Sequence, residues 1–239
     1  MNEIELLQKW IDESNNIVFF GGAGVSTESG IPDFRSQDGL YNQHYDYPPE
    51  TILSHSFYYN HPETFYKFYR DKMLYLDAIP SLPHIFLKKL EDVGKLKAIV
   101  TQNIDGLHQL AGSSNVFELH GSVLRNYCDF CHKSYSVNVV KDSKNIPYCS
   151  CGGLIKPDVV LYEESLDQEI IHKSIEAITN ADMLIIGGTS LNVYPAASFV
   201  DYYQGNKLVL INKSTTSKDH IANLVIHDEL GNVFSKIKL

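Results

Sequence analysis

Nowhere does this chain offer the roughly 18 consecutive apolar residues that a membrane-crossing helix requires, which excludes a helical membrane protein. Positive charge is also short. With 20 Lys and Arg against 29 Asp and Glu, the formal charge is −9. A protein that grips nucleic acid directly through a general basic surface is thereby excluded, because phosphate neutralisation needs clustered cations. An acidic surface suits cationic partners, lysine-bearing proteins among them, and equally serves solubility. The start, Met1-Asn2-Glu3-Ile4-Glu5, lacks the basic residues of a secretory signal and predicts a cytosolic protein. Cysteine is scarce, with four residues at 128, 131, 149 and 151. Internal repeats and low-complexity segments are absent, so any small module is inserted into the main fold, not appended. The 239 residues, 44% of them hydrophobic, suffice for one domain or one domain with an insertion.

What is present centres on a glycine-rich stretch. The apolar run Ile17-Val18-Phe19-Phe20 reads as a buried strand, and the glycines after it let the backbone turn tightly and approach a ligand. Free amides at the start of a following helix would face a pyrophosphate. Gly22 and Gly24 match G-x-G, but Thr27 stands at the third glycine position. Spacing alone therefore fits a nucleotide loop or an ordinary glycine-rich turn.

The rest of the chain reads as alternating strands and helices. Ile4, Leu7 and Ile11 predict an amphipathic helix over Ile4–Asp12, and Gln37–Pro49 reads as a long surface loop. From Thr51 to Leu76 aromatic residues dominate, predicting a small helical lobe with a helix start at Pro62-Glu63 and rings mostly in its core. Lys97–Val100 is a strand ending in the polar cluster Thr101-Gln102-Asn103-Ile104-Asp105-Gly106-Leu107-His108, at the carboxyl end where open α/β sheets place ligands. Further strands are expected at Val116–Leu119, at Val159–Tyr162, within Asp182–Leu191 running into a glycine and hydroxyl turn, within Lys207–Lys213 ending in polar groups, and at Leu224–Ile226, with a helix over Asp167–Thr179. Such alternation predicts an α/β fold with a doubly wound, Rossmann-like parallel sheet.

Two features bear chemistry. His120 follows a short strand, a setting that on its own suits a structural histidine as well as a catalyst. The cysteines form C-x-x-C and C-x-C, separated by 17 residues. That spacing approximates two metal-binding knuckles, and two disulfides are the rival reading, disfavoured in the cytosol. Four thiolates would close a zinc site and make the metal structural, tying down residues 127–153, which are too polar to hold together by core burial.

Gly22 to Arg35, G-A-G-V-S-T-E-S-G-I-P-D-F-R, resembles the opening motif of the sirtuins, the NAD-dependent protein-lysine deacylases. Thr101 to His108 is similar to the family's second motif, His120-Gly121 falls where its catalytic pair stands, and the cysteine quartet, Gly188-Thr189-Ser190 and Asn212 follow in the family's order. The resemblance spans nearly the whole chain and is to the bacterial type. It implies one catalytic domain over 1–239: a Rossmann-like core of about 1–36, 84–124 and 156–239, and a small module made of a helical lobe, 37–83, and a zinc ribbon, 125–155. It further implies removal of acetyl from acylated-lysine proteins or peptides, with NAD consumed, nicotinamide and O-acetyl-ADP-ribose released, and one structural zinc held by Cys128, Cys131, Cys149 and Cys151. A monomer is expected. By the same resemblance His120 is the general base, with Asn103 and Asp105 in the nicotinamide pocket beside Gln102 and Ile104. Gly22, Ala23, Gly24, Thr27, Asp33 and Arg35 would meet the dinucleotide while Phe34 shields the reactive ribose face. Gly188, Thr189, Ser190 and Asn212 would hold the adenosine half, and Asp228 its adenine end.

The chain departs from the family pattern twice. Where many members have Phe-Gly-Glu on the substrate-binding strand it reads Tyr162-Glu163-Glu164, and an acid there could favour basic peptides. Members that remove acidic acyl groups carry Tyr-x-x-Arg, where this chain has Tyr69-Arg70-Asp71-Lys72. Lysine lacks the bidentate fork of arginine, so acetyl is expected over succinyl. Protein ADP-ribosylation on the same scaffold, removal of other acyl groups, a nicotinamide dehydrogenase and a non-enzymatic zinc-dependent module remain as rivals.

Overall fold

In a computed structural model of the chain, the described residues are 2–34, 39 and 46–239. Arg35, Tyr41, Tyr45 and most of the expected loop lie outside them. Nine strands occur among the described residues: β1 (Ile17–Gly21), β2 (Leu96–Thr101), β3 (Val116–Glu118), β4 (Gly121–Cys128), β5 (Ser134–Ser136), β6 (Ile155–Val159), β7 (Met183–Gly187), β8 (Leu208–Ile211) and β9 (Leu224–Ile226). Six of them make a parallel sheet in the order β3-β2-β1-β7-β8-β9.

A parallel sheet needs cover on both faces, which is why its strands read as continuous apolar runs. Phe19, Ile99, Ile185 and Val209 face one side. They pack there on Leu7 and Ile11 of the helix Glu3–Glu13, on Phe86, Leu87 and Leu90 of the helix Leu82–Asp92, and on Val233 and Phe234 of the last helix, Leu230–Phe234. Val18, Phe20, Leu184 and Ile186 face the other, against Ile178 of the helix Gln168–Asn180 and the 3₁₀ segment Ala196–Tyr202. From β1 the chain reaches β2 on one side and β7 on the other. That reversal opens a crevice at the carboxyl ends of the strands.

The second sheet is antiparallel and three-stranded, in the order β5-β4-β6. It shares one core with the helices Pro49–Ile52, His55–Asn60 and Pro62–Lys72, where Tyr58, Phe65, Tyr66 and Tyr69 are fully buried against Val123, Ile155 and Val159. Tyr66 donates its hydroxyl to Ile155 O at 2.8 Å. Helical lobe and cysteine ribbon thus form one small module beside the larger sheet.

Three local expectations change. The strand expected at Val159–Tyr162 does not join the large sheet. Ile155–Val159 pairs with β4 instead, and the following residues form a strap, with Val160 N bonded to His120 O and Tyr162 N to Leu53 O. As an edge strand β6 tolerates Pro157. The glycine loop runs into two 3₁₀ turns, Ala23–Val25 and Thr27–Ser29, not an α-helix. Pro48-Pro49, expected in the loop, instead starts a helix at Pro49.

Candidate active site

One cleft of about 870 Å³ lies at the carboxyl ends of the large sheet, within the size range of small-molecule sites. Every site residue nominated from sequence for chemistry other than metal binding, Arg35 excepted, lines it. Gly22, Ala23, Gly24, Thr27, Asp33 and Phe34 come from the segment after β1, and Gln102, Asn103, Ile104 and Asp105 from that after β2. His120 joins β3 to β4; Gly188, Thr189 and Ser190 follow β7, Asn212 follows β8, and Asp228 follows β9.

The two glycine loops touch. Gly24 N donates to Gly188 O at 2.8 Å, and a Cβ on Gly24 would lie 2.7 Å from Gly188 Cα. Glycine is needed here because two backbones approach each other, so any side chain would push the β1 and β7 loops apart. Gln102 spans the same junction by donating Nε2–H to Thr189 Oγ1 at 3.0 Å.

Beside this floor, and lining the same cleft, is a polar cluster organised by Ser26, a residue not among those nominated from sequence. Its hydroxyl donates to Asp105 Oδ2 at 2.7 Å and accepts from Asn103 Nδ2 at 3.1 Å. The other Asp105 oxygen accepts Leu107 N at 2.9 Å, starting the short helix Leu107–Leu110. His84 Nε2 lies 3.5 Å from the same hydroxyl. Because His84 Nδ1 accepts the Ser81 amide at 3.2 Å, the proton of the neutral ring belongs on Nε2, directed at Ser26. Ser26 thus has one acceptor and two donors around it; its bond to Asn103 is buried, and the two that hold Asp105 are partly so. The only sequence signal for Ser26 is its place inside the glycine motif. His108 packs 4.8 Å from His84, ring to ring, and its ring nitrogens have no hydrogen-bond partner among the described residues. Burial lowers the pKa of both imidazoles; for His108 the neighbouring His84 pushes the same way, while Asp105 opposes the shift at His84.

His120 is oriented from behind. Its Nδ1–H donates to Gln102 O at 2.9 Å, so Nε2 is the nitrogen left for the cleft. Burial depresses its pKa, and the Gln102 carbonyl partly restores it. Gly121 follows at φ +75°, and a Cβ there would meet Asp158 O at 1.9 Å. The turn that presents His120 therefore admits only glycine in second place.

In the smaller sheet, the four cysteine sulfurs lie within 4.8 Å of one another, with Cys128–Cys151 at 3.4 Å and Cys131–Cys149 at 3.6 Å. Zinc–sulfur bonds of about 2.3 Å at tetrahedral angles imply sulfurs about 3.8 Å apart, so the cluster fits one four-thiolate zinc ion. Cys131 N points at Cys128 Sγ at 3.4 Å, and Tyr135 donates its hydroxyl to Cys149 Sγ at 3.0 Å. Such hydrogen bonds around the sulfurs favour the thiolate form.

A doubly wound sheet with a glycine-floored crevice, a histidine oriented through one nitrogen and a separate thiolate cluster defines a dinucleotide-using enzyme with a structural metal module. The profile of the Sir2 family, the sirtuins, matches residues 22–195, and this chain belongs to that family. It is 59% identical to the NAD-dependent protein deacetylase of Clostridium acetobutylicum over 241 aligned residues, 99% of this chain and 98% of the relative. Identity to the enzyme of the same description from Clostridium perfringens is also 59%, over 240 residues, with the same coverage. Among solved structures, a Sir2 protein with deacetylated p53 peptide and 3′-O-acetyl ADP-ribose superposes with a TM-score of 0.91 at 38% identity, covering 98% of this chain and 97% of that one. A Sir2–p53 peptide–NAD⁺ complex gives 0.87 at 40% identity, covering 99% and 97%. No helix among the described residues is long and apolar enough to cross a membrane.

Proposed function

We propose that this chain is an NAD-dependent protein-lysine deacetylase that converts acetyl-lysine to lysine with release of nicotinamide and O-acetyl-ADP-ribose. The observation that carries the reading is the convergence of His120, Asn103 and Asp105 on the cleft floored by Gly22, Gly24 and Gly188. Bound there, NAD supplies a ribose carbon for the acetyl oxygen and a leaving nicotinamide. The chain's own work is orientation and proton transfer. Asn103 and Asp105, fixed by Ser26, hold the nicotinamide end, and Gln102 braces that wall against Thr189. Thr189, Ser190 and Asn212 offer hydroxyl and amide groups to the adenosine half, with Asp228 beyond them. Phe34 covers the reactive ribose face. His120 Nε2 takes a proton from a ribose hydroxyl, and neutral imidazole is the form that can do so. Cys128, Cys131, Cys149 and Cys151 hold one zinc away from the chemistry, because four thiolates leave no open position.

Acetyl is the favoured group. Tyr69 is fully buried, and Arg70 turns to the ribbon, donating to Ser143 Oγ at 3.0 Å and Asn145 O at 3.1 Å. Neither lines the cleft; Lys72, which stands at the motif's arginine position, does, and an ammonium offers a carboxylate no bidentate fork. The formal charge of −9 disfavours direct contact with nucleic acid, and the reading is of a cytosolic monomer acting on acylated proteins or peptides.

A mass-spectrometric time course with zinc-loaded protein, an acetyl-lysine peptide and NAD tests the reading. Loss of one acetyl group per nicotinamide, with O-acetyl-ADP-ribose appearing, is the expected result. Gain of ADP-ribose by peptide or protein would assign a transferase, and intact NAD would overturn both.

A further inference from the structure

The strap after β6 contains a residue whose backbone is costly for its side chain. Glu163 sits at φ +74°, in the left-handed region that L side chains with a Cβ rarely adopt, and it lines the cleft. A non-glycine residue held there implies a compensating role, and strain of this kind collects at ligand clamps and active sites. Its Oε2 accepts Ser56 N at 2.8 Å, which anchors the strap to the helical lobe. That bond does not neutralise the carboxylate. Glu164 is matched by Lys156 at 3.0 Å and by His55 at 2.9 Å, whereas Glu163 has no ion pair among the described residues. Hydrogen bonding from Ser56 holds its carboxyl below the usual carboxylate range, so it is ionised at neutral pH.

The position of this charge matters. Val160 N is bonded to His120 O, and Glu163 lies three residues further along the strap. At no more than about 3.3 Å per residue, the Glu163 backbone lies within about 10 Å of Val160. His120 and Glu163 line the same cleft, so an acetyl-lysine reaching His120 would bring its neighbouring residues past Glu163. We propose that Glu163 is a specificity-determining residue, selecting acyl-lysine peptides that carry lysine or arginine two or three positions from the acylated residue. The inference rests on the deacetylase reading and names its substrate class. The net charge of the whole chain favours the same partners at longer range.

Steady-state kinetics of the zinc-loaded chain on matched acetyl-lysine peptides with basic, neutral or acidic flanks decides the matter. The expected wild-type kcat/KM is about two- to fivefold higher on basic than on neutral flanks, the size of one exposed charge pair, and this ratio shrinks as salt is raised. Glu163→Gln keeps an oxygen for Ser56 N and removes only the charge, so the ratio should fall to near one. Glu163→Lys should invert it. A Glu163→Gln variant that keeps the wild-type ratio, or a wild type without flank preference, overturns the proposal and reduces Glu163 to an anchor for the lobe. Absence of nicotinamide release with every peptide is a different failure, that of the deacetylase reading itself.

Discussion

His120 can serve as a base only through the nitrogen that Gln102 leaves free, and only while the ring is neutral. Burial makes the imidazolium harder to form, so the neutral ring persists to lower pH than in a free histidine. The acid limb of kcat/KM is therefore expected to have its midpoint below about 6.5, the ordinary histidine value, and a midpoint above it would contradict the geometry. His120→Ala should lower kcat by about 10²- to 10⁴-fold, the usual worth of a general base, while circular dichroism and zinc content stay at wild-type values. Normal turnover in that variant removes the mechanism. Acyl choice is also settled at single side chains. With Arg70 committed to Ser143 and Asn145 and only the lysine Lys72 at the motif's last position in the cleft, kcat/KM on a succinylated peptide should fall below that on its acetylated twin, and the reverse order would show that a cation there grips the carboxylate after all.

At the scale of elements, the helix Glu3–Glu13 shows how the fold completes what local sequence leaves open. Its start is local, a capping box in which Asn2 and Glu5 satisfy each other's amides. Its end has no basic residue in the last turn. The missing cation arrives from the segment before β2, where Lys95 Nζ donates to Ile11 O, Asp12 O and Ser14 O at 2.9 Å each. A cation on these free carbonyls also opposes the negative end of the helix dipole. Lys95→Met should lower unfolding free energy by about 1 to 2 kcal/mol in urea titrations, since water replaces only part of those bonds. An unchanged midpoint would make the contact incidental. The expected helices over Ile4–Asp12 and Asp167–Thr179 match Glu3–Glu13 and Gln168–Asn180, because apolar spacing and cap residues are local signals. The strap at 160–164 was illegible for the opposite reason. Val159-Val160-Leu161 has the composition of a buried strand, and its partners, His120 and Leu53, lie far away in sequence.

For the molecule as a whole, two sheets with different sources of stability meet at one cleft. The large sheet rests on two apolar faces, whereas β4, β5 and β6 share a core with the helical lobe, and the cysteines lie at the end of β4 and in the turns between these strands. Arg125 clasps the junction by donating to Glu118 on the edge of the large sheet and to Asp158 on β6, both at 2.7 Å. Loss of zinc should therefore loosen the ribbon and lobe before the large sheet. Chelation under reducing conditions is expected to raise hydrogen exchange in residues 121–159 and 49–72, leave β1, β2 and β7 protected, and abolish deacetylation. Full activity in metal-free protein would overturn the structural assignment of the zinc.

The sequence by itself determined the α/β class, the cysteine quartet and a set of residues that line the cleft, since each is carried by contiguous motifs or short spacings. Residues of the loops after β1, β2 and β7 were legible because an apolar strand followed by polar or glycine residues marks a carboxyl end. What only the tertiary structure decided is how these pieces bear on one another. Ser26 became the hub of Asn103, Asp105 and His84 because the β1 and β2 loops fold together over the helix Leu82–Asp92. The reason for Gly24 turned out to be the backbone of Gly188, and that for Gly121 the carbonyl of Asp158. Glu163 likewise took on meaning only when its left-handed backbone and its bond to Ser56 were seen together. Such contacts join residues from 37 (Gly121 and Asp158) to 164 (Gly24 and Gly188) positions apart; close packing between elements fixes them, and no local pattern encodes it.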